Sequence, residues 1–450
     1  MLFLSFSRQI PLHILKRFKH KDSHWSVARK KKSHTQRALE HFNEFYEPIY
    51  KTDWGGIRQG LLTRQKYVAL INNFSDSERI CNELERTGAM NLRRLFHLEK
   101  EYLSINNKKL NQSIKTLKNT NNESINEDKI EKIDSNRIID GVNSNLSLTE
   151  FVPATKIKGM EDFITESEHY NSYNPQDSSI VEIEKQYDFN FPNTLNVYIY
   201  DTMDKQTFKS PRKGSTGVLD YYLLDAGSLL PILALDIQPN EKILDMCSSP
   251  GGKSLIILQT LYPKTLICND ISKSRIDRIF KVMKEYLYDL NENWFETGRL
   301  KIQNMDGRDI NDEFDRVLVD VPCTTDRHSV NQEDNNIFKP DRIKERLKLP
   351  ELQSDLLVNA LKMVRINGTV VYSTCTLSPI QNDGVVHMAL KRICEETDLG
   401  FKIIDMRPAL MQVLTSYKMF GSSWKYGHLV VPNLSRNFGP TYFCKLERTR

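Results

Sequence analysis

From residue 217 onward the chain alternates short apolar runs with amphipathic stretches, and this rhythm restricts its fold more than any other feature. The runs are Lys242–Met246, Thr265–Cys268, Leu300–Gln303, Arg316–Val321 and Thr369–Ser373, separated by helical patterns over 253–261, 273–290 and 351–366. Strands that alternate with helices of this length pair in parallel, and helices then cover both faces of the sheet. The expected fold is therefore α/β, a doubly wound, mostly parallel sheet. Three later runs, Phe401–Asp405, His428–Val431 and Tyr442–Leu446, suit a late antiparallel hairpin.

The rest of the chain divides by composition. Residues 36–103 read as a helical N-terminal region: Leu39, Phe42, Phe45, Tyr46 and later Tyr67, Leu70 and Ile71 lie at near-helical intervals. Trp54-Gly55-Gly56 is expected to break that run, and Ser75-Asp76-Ser77-Glu78 to start another helix. Residues 104–190 are rich in Asn, Ser, Lys and Glu and read as a largely disordered insertion, with too little apolar surface to offset the entropy of ordering. The domain with the α/β rhythm is taken as 191–450. No apolar run approaches the ~20 residues of a membrane helix, so no membrane association is expected.

Charge is unevenly placed. Residues 1–34 carry nine Lys/Arg against the single acid Asp22, whereas the remaining residues hold 54 basic and 57 acidic side chains. The body therefore gives no electrostatic argument for nucleic acid. The basic segment, with Leu12, Ile14, Leu15 and Phe18 near helical spacing, reads as a mitochondrial transit peptide over residues 1–35. A basic tail or nucleic-acid-binding arm is the alternative. Seven cysteines, an odd number in so long a chain, argue for free thiols over a disulfide framework.

The first strong run leads into Cys247-Ser248-Ser249-Pro250-Gly251-Gly252-Lys253 and then an apolar helix. At the carboxyl end of the first strand of such a sheet, this is where a nucleotide-like ligand binds. A Walker A loop needs Gly at position 247, which is Cys, and the dinucleotide fingerprint needs three spaced glycines where two adjacent ones stand. Asp270 ends the second run, placed for a ribose, and Asp306-Gly307 follows the third, placed for an adenine amino group. Either acid alone is more often a helix cap. Together along one sheet edge they suit S-adenosylmethionine.

Asp320-Val321-Pro322-Cys323 closes the fourth run and Ser373-Thr374-Cys375 the fifth. Neighbouring parallel strands end on the same side, so both thiols are expected in one crevice beside the cofactor. Taken singly, either cysteine reads as a small core residue. No paired CxxC spacing supports a metal. A thiolate adding to carbon 6 of a pyrimidine makes carbon 5 nucleophilic toward a sulfonium methyl. A carboxyl group such as Asp320 then steadies the base at N3, and a second thiol assists elimination.

These motifs resemble those of the NSUN (Nol1/Nop2/Sun) RNA cytosine-5 methyltransferases. The resemblance implies a class I, Rossmann-like methyltransferase fold, with Cys375 as nucleophile and Cys323 assisting release. It further implies cofactor contacts from Cys247 through Lys253 and from Asp270, Arg275, Asp306, Gly307 and Asp320, with Lys253 also near the base. Gln65-Lys-Tyr-Val-Ala-Leu70, Asp220–Ser228, Asp320–Ser329, Asn335–Phe338, Val430–Leu434 and Asn437–Pro440 resemble the mitochondrial ribosomal-RNA branch. That branch implies the mitochondrial matrix, ribosomal RNA of the small subunit, mitochondrial ribosomal subunits and an mTERF-family helical-repeat partner. Gln381-Asn382-Asp383 stands where many members have Glu-Asn-Glu, and no role is assigned to it. No PUA-like RNA-binding module is recognisable. The competing readings are an assembly factor whose docking role dominates, and a DNA or tRNA cytosine-5 methyltransferase.

Overall fold

The computed structural model describes residues 32–105, 181–201, 206–421 and 424–450. The described strands, in chain order, are β1 (Val68–Ile71), β2 (Met90–Asn91), β3 (Glu182–Lys185), β4 (Val197–Ile199), β5 (Tyr221–Leu224), β6 (Lys242–Asp245), β7 (Thr265–Asn269), β8 (Leu300–Gln303), β9 (Phe314–Asp320), β10 (Val364–Thr374), β11 (Phe401–Asp405), β12 (His428–Val430) and β13 (Thr441–Arg448). The large sheet runs β3-β11-β13-β10-β9-β6-β7-β8, with β12 paired to β13. Strands β6 to β10 pair in parallel, as the rhythm requires. β13 lies antiparallel between β10 and β11, and β12 pairs antiparallel with β13. This is the architecture expected of a class I methyltransferase.

Period-two side-chain placement builds two cores. On β9, Val317 and Val319 join one apolar cluster with the helix Leu349–Met363, while Leu318 faces the other with the helices Leu229–Leu235 and Gly252–Gln259. Strands buried on both faces read as continuous apolar runs, which is why they were visible in the sequence. Strand order reverses between β6 and β9, so the loops after these two strands flank the crevice where such sheets bind ligands.

The N-terminal region is only partly helical. The helix His34–Tyr50 starts on a capping box of Ser33 and Gln36, and Ala38, Phe42, Tyr46 and Tyr50 form one buried stripe at intervals of four. Glu333 of the α/β domain accepts hydrogen bonds from the His34 and Thr35 amides at 3.0 and 3.1 Å, tying the helix start to the domain. A second helix, Trp54–Leu62, contains Gly55 and Gly56, so the expected break falls earlier, at Lys51, whose φ is +47°. Tyr67–Ile71, expected as helix, enters strand β1 instead. A four-residue apolar run is ambiguous by periodicity, and the partners that decide it, β4 and β5, come from more than a hundred residues away. The expected helix start at Ser75–Glu78 corresponds to the helix Ser77–Arg86.

The expected insertion 104–190 also ends differently. Residues 106–180 lie outside the described residues, as do 1–31 of the basic segment. Glu182–Lys185, however, forms β3, which pairs in parallel with β11 at the sheet edge. All four residues are exposed, and Glu184 pairs with Lys402 at 2.8 Å. Charged edge strands of this kind read as solvated loop because little of them is buried.

Candidate active site

The register of β9 with β10 places Ser373 beside Asp320. Three residues beyond Asp320 and two beyond Ser373, the chains carry Cys323 and Cys375, with Sγ atoms 3.2 Å apart. The Cys375 amide also points at the Cys323 sulfur, at 3.4 Å. Cys375 is exposed and Cys323 buried. The hydrogen bond with Cys323, and then desolvation of the sulfur at the cavity floor, push the Cys375 thiol well above the ordinary cysteine range, against the pull of Lys253.

Lys253 and Asp320 form an ion pair of 2.6 Å, and Ser373 Oγ donates to the other Asp320 oxygen at 2.7 Å. Burial works against the Lys253 ammonium, but the charge and hydrogen bond of Asp320 outweigh it and raise its pKa. The carboxylate is thus held by both of its oxygens. Lys253 and Cys375 line the same cavity, of about 560 Å³, with Thr325, Arg327 and His328 on one wall and Arg64, Gln65 and Tyr67 on another.

Four features that the sequence reading left without a role hold these loops in place. Asp326 is buried and accepts from Leu377 N at 2.7 Å, Tyr46 Oη and Thr376 Oγ1 at 2.9 Å, and Thr324 Oγ1 at 2.6 Å. It therefore joins the loops of both cysteines to the N-terminal helix. Gln381 Oε1 accepts from Thr324 N at 3.2 Å and Gln353 Nε2 at 3.1 Å, while Gln353 also donates to Pro322 O at 2.8 Å. Asn382 accepts from Thr374 Oγ1 and donates to Thr376 O. Asp383 accepts from the Lys425 and Gly427 amides. No local pattern announces such contacts, because every partner is distant in sequence except Thr324 beside Asp326 and Thr374 and Thr376 near Asn382.

The glycine loop after β6 has the features of a ligand cradle. Gly251 has φ +107° and caps the helix Gly252–Gln259. An added Cβ there stands 3.6 Å from Val282 and Met283, so the need for glycine is one of backbone conformation. Ser248 donates to the Asn269 carbonyl, and Asn269 Nδ2 donates to the Met246 and Met305 carbonyls, lacing the ends of three strands together. Asp245, also unassigned from sequence, accepts from Ser254 Oγ at 2.6 Å through one oxygen; the other is buried without a partner. Burial raises its pKa to about 7.

The other candidates are less uniform. Asp270 is buried and accepts from Ser272 N at 3.0 Å, with Arg275 3.9 Å from its other oxygen. Asp306 is engaged by Arg308 through both oxygens, which holds its pKa below the ordinary range, so a ligand there has to share it. A Cβ on Gly307 would lie 2.8 Å from Leu356 and 2.9 Å from Met246; this glycine serves helix packing. Cys247 and Ser249 lie in the loop, and burial pushes the Cys247 thiol well up. S-adenosylmethionine carries cationic groups, and an unfilled buried carboxylate oxygen beside a left-handed glycine turn fits such a ligand. Gly251→Val should fold but bind the cofactor at least about tenfold more weakly, since a branched residue resists this φ. Near-wild-type affinity by calorimetry would show that the loop does not cradle the cofactor.

Residues 232–413 match the family described as 16S rRNA methyltransferase RsmB/F. The chain is 33% identical over 437 residues to the 5-cytosine rRNA methyltransferase NSUN4 of Bos taurus, covering 96% of this chain and 94% of that one. It is 36% identical over 430 residues to NSUN4 of Xenopus laevis, with coverage of 95% and 93%. A mitochondrial tRNA (cytosine(34)-C(5))-methyltransferase of Mus musculus is 33% identical, over only 57% of this chain and 72% of its own. Among solved structures, the "Crystal Structure of PH0851" has a TM-score of 0.51 at 15% identity, over 96% of this chain and 72% of that one, a likeness of fold. The chain belongs to the RsmB/F and NSUN family of S-adenosylmethionine-dependent RNA cytosine-5 methyltransferases.

Proposed function

We propose that this enzyme methylates carbon 5 of a cytosine in mitochondrial small-subunit ribosomal RNA. The observation that carries the mechanism is the pair of sulfurs 3.2 Å apart, one open to a cavity and the other beneath it. Cys375, the exposed thiol, adds through its sulfur to carbon 6 of the base. Asp320, beside the cavity-lining Lys253, takes the ammonium proton across their 2.6 Å contact and passes it to N3 as negative charge develops on the ring. The loop 247–253, Asp245, Asp270, Arg275 and Asp306 would hold S-adenosylmethionine, which would supply the electrophilic methyl group. Cys323 then assists loss of the carbon 5 proton and expulsion of the Cys375 thiolate. A resting thiol with a raised pKa is protected from side reactions and ionises as the base arrives.

Near-full-length similarity to 5-cytosine rRNA methyltransferases favours ribosomal RNA over transfer RNA, because the tRNA enzyme matches a shorter part of the chain. The basic N-terminal segment supports the mitochondrial matrix, by way of a cleaved transit peptide. The body, with fewer basic than acidic side chains, supports recruitment to ribosomal subunits through an mTERF-family partner. Bisulfite sequencing of mitochondrial RNA from cells with and without the protein should show one small-subunit rRNA cytosine losing protection. A wild-type pattern in the deleted cells, or loss confined to tRNA, would overturn the substrate assignment.

A further inference from the structure

The methyltransferase domain supplies the reacting groups, but one wall of their cavity comes from outside it. The segment Thr63–Tyr67 joins the helix Trp54–Leu62 to β1, and its backbone is pinned from the other side of the cleft. Arg327 Nη1 donates to the Gly60 and Thr63 carbonyls at 3.0 and 3.2 Å, and Arg327 Nε to Gly439 O at 2.8 Å. Asn437 Nδ2 donates to Arg64 O at 2.8 Å. Gln65 Nε2 donates to Asp225 at 2.5 Å, and that carboxylate also accepts from Gly439 N.

All this polar chemistry is consumed in fixing the segment. Arg327 is half-buried and commits its donors to protein carbonyls and the Asn437 amide oxygen, and Asp225 is occupied at both oxygens. Two side chains on the segment are not consumed. Arg64 is exposed on the cavity and, among the described residues, its guanidinium has no ion pair or hydrogen bond. Tyr67 is 45% exposed on the same wall. A free guanidinium and a phenol ring thus stand on a fixed stretch of backbone in the wall of the cavity that holds Cys375. They match the two parts of a nucleotide, since guanidinium pairs with phosphate and aromatic rings stack on bases.

We infer that Arg64 and Tyr67 form a clamp for the nucleotide flanking the target cytosine, with Arg64 on its backbone phosphate and Tyr67 against its base. The inference rests on the reading of this cavity as the cytosine site, and it assigns substrate binding to the N-terminal region. The RNA must then be unpaired at that step, because a stacked duplex offers no base face to Tyr67.

The test uses the full chain with a short single-stranded RNA containing one cytosine, measuring binding by fluorescence anisotropy across salt and methyl transfer across RNA concentration. Arg64→Ala should weaken binding about tenfold and lower the salt slope by about 0.7, the share of one phosphate on a single strand. The loss should appear in KM for RNA and not in kcat, and Arg64→Lys should restore the slope. Tyr67→Ala should weaken binding severalfold with the slope unchanged, and Tyr67→Phe should recover most of that loss. Affinity and slope untouched by Arg64→Ala would overturn the clamp even if the enzyme methylates normally. If the wild type shows the Arg64-dependent slope but leaves cytosine unmethylated, the clamp stands and the proposed reaction falls.

Discussion

Cys323→Ala should accumulate a covalent protein–RNA species on denaturing gels, while Cys375→Ala and the double variant should form none. If Cys375 is the sulfur that adds to carbon 6, its loss removes the nucleophile outright, and methylation should fall by about 10⁴-fold or more. Cys323 lies 3.2 Å away but is buried, so its replacement leaves the attack intact and slows the elimination. One methyl group per enzyme should then transfer before turnover stalls. The sulfur contact adds a pH dependence. A thiol held above its ordinary pKa is mostly protonated at neutral pH, so kcat/KM should rise steadily from pH 7 to 9. In Cys323→Ala the leading cause of that shift is gone, and the rate of adduct formation should reach its plateau at lower pH. An adduct that persists in Cys375→Ala and vanishes in Cys323→Ala would reverse the two roles and revive the DNA-enzyme type of mechanism.

Asp320→Asn should lower kcat by about 10²- to 10⁴-fold, the range for losing a positioned acid or base. The carboxylate has two fixed partners, Lys253 at 2.6 Å and Ser373 at 2.7 Å. Asn retains the shape but not the charge, so the Lys253 ammonium is left partly buried without its counter-ion. Its pKa, now raised by Asp320, should drop, and the variant should show a new ionisation on the acidic side of wild-type lysine. Adduct formation with excess RNA separates this from a folding defect. A folded Asp320→Asn enzyme that forms adduct at the wild-type rate would remove Asp320 from the step at carbon 6.

The N-terminal helix shows how far the site extends beyond its motifs. Tyr46 reaches Asp326 at 2.9 Å and Tyr50 Oη donates to Leu377 O at 2.5 Å, so the same aromatic stripe that buries the helix also holds the cysteine loops. Sequence periodicity exposes the stripe, since residues four apart share a helix face. It cannot expose the partners, which lie about 280 to 330 residues away.

What the amino-acid order determined on its own was local. Continuous apolar runs over β6, β7, β9 and β10 announced strands buried on both faces, and the glycine loop, the acids at strand ends and the two cysteine motifs were readable because each is a short stretch with its own chemistry. Tertiary structure decided the rest. The register that sets Ser373 beside Asp320 brings the sulfurs to 3.2 Å, and register comes from the packing of whole strands. Val68–Ile71 became a strand because β4 and β5 supply its hydrogen bonds, and Glu182–Lys185 became one because β11 presents a free edge. Arg64 and Asp245 lie in no motif, and Asp326 lies in one that says nothing of its role. Their importance follows from what surrounds them: an open cavity, an unfilled buried oxygen, and four donors converging on one carboxylate.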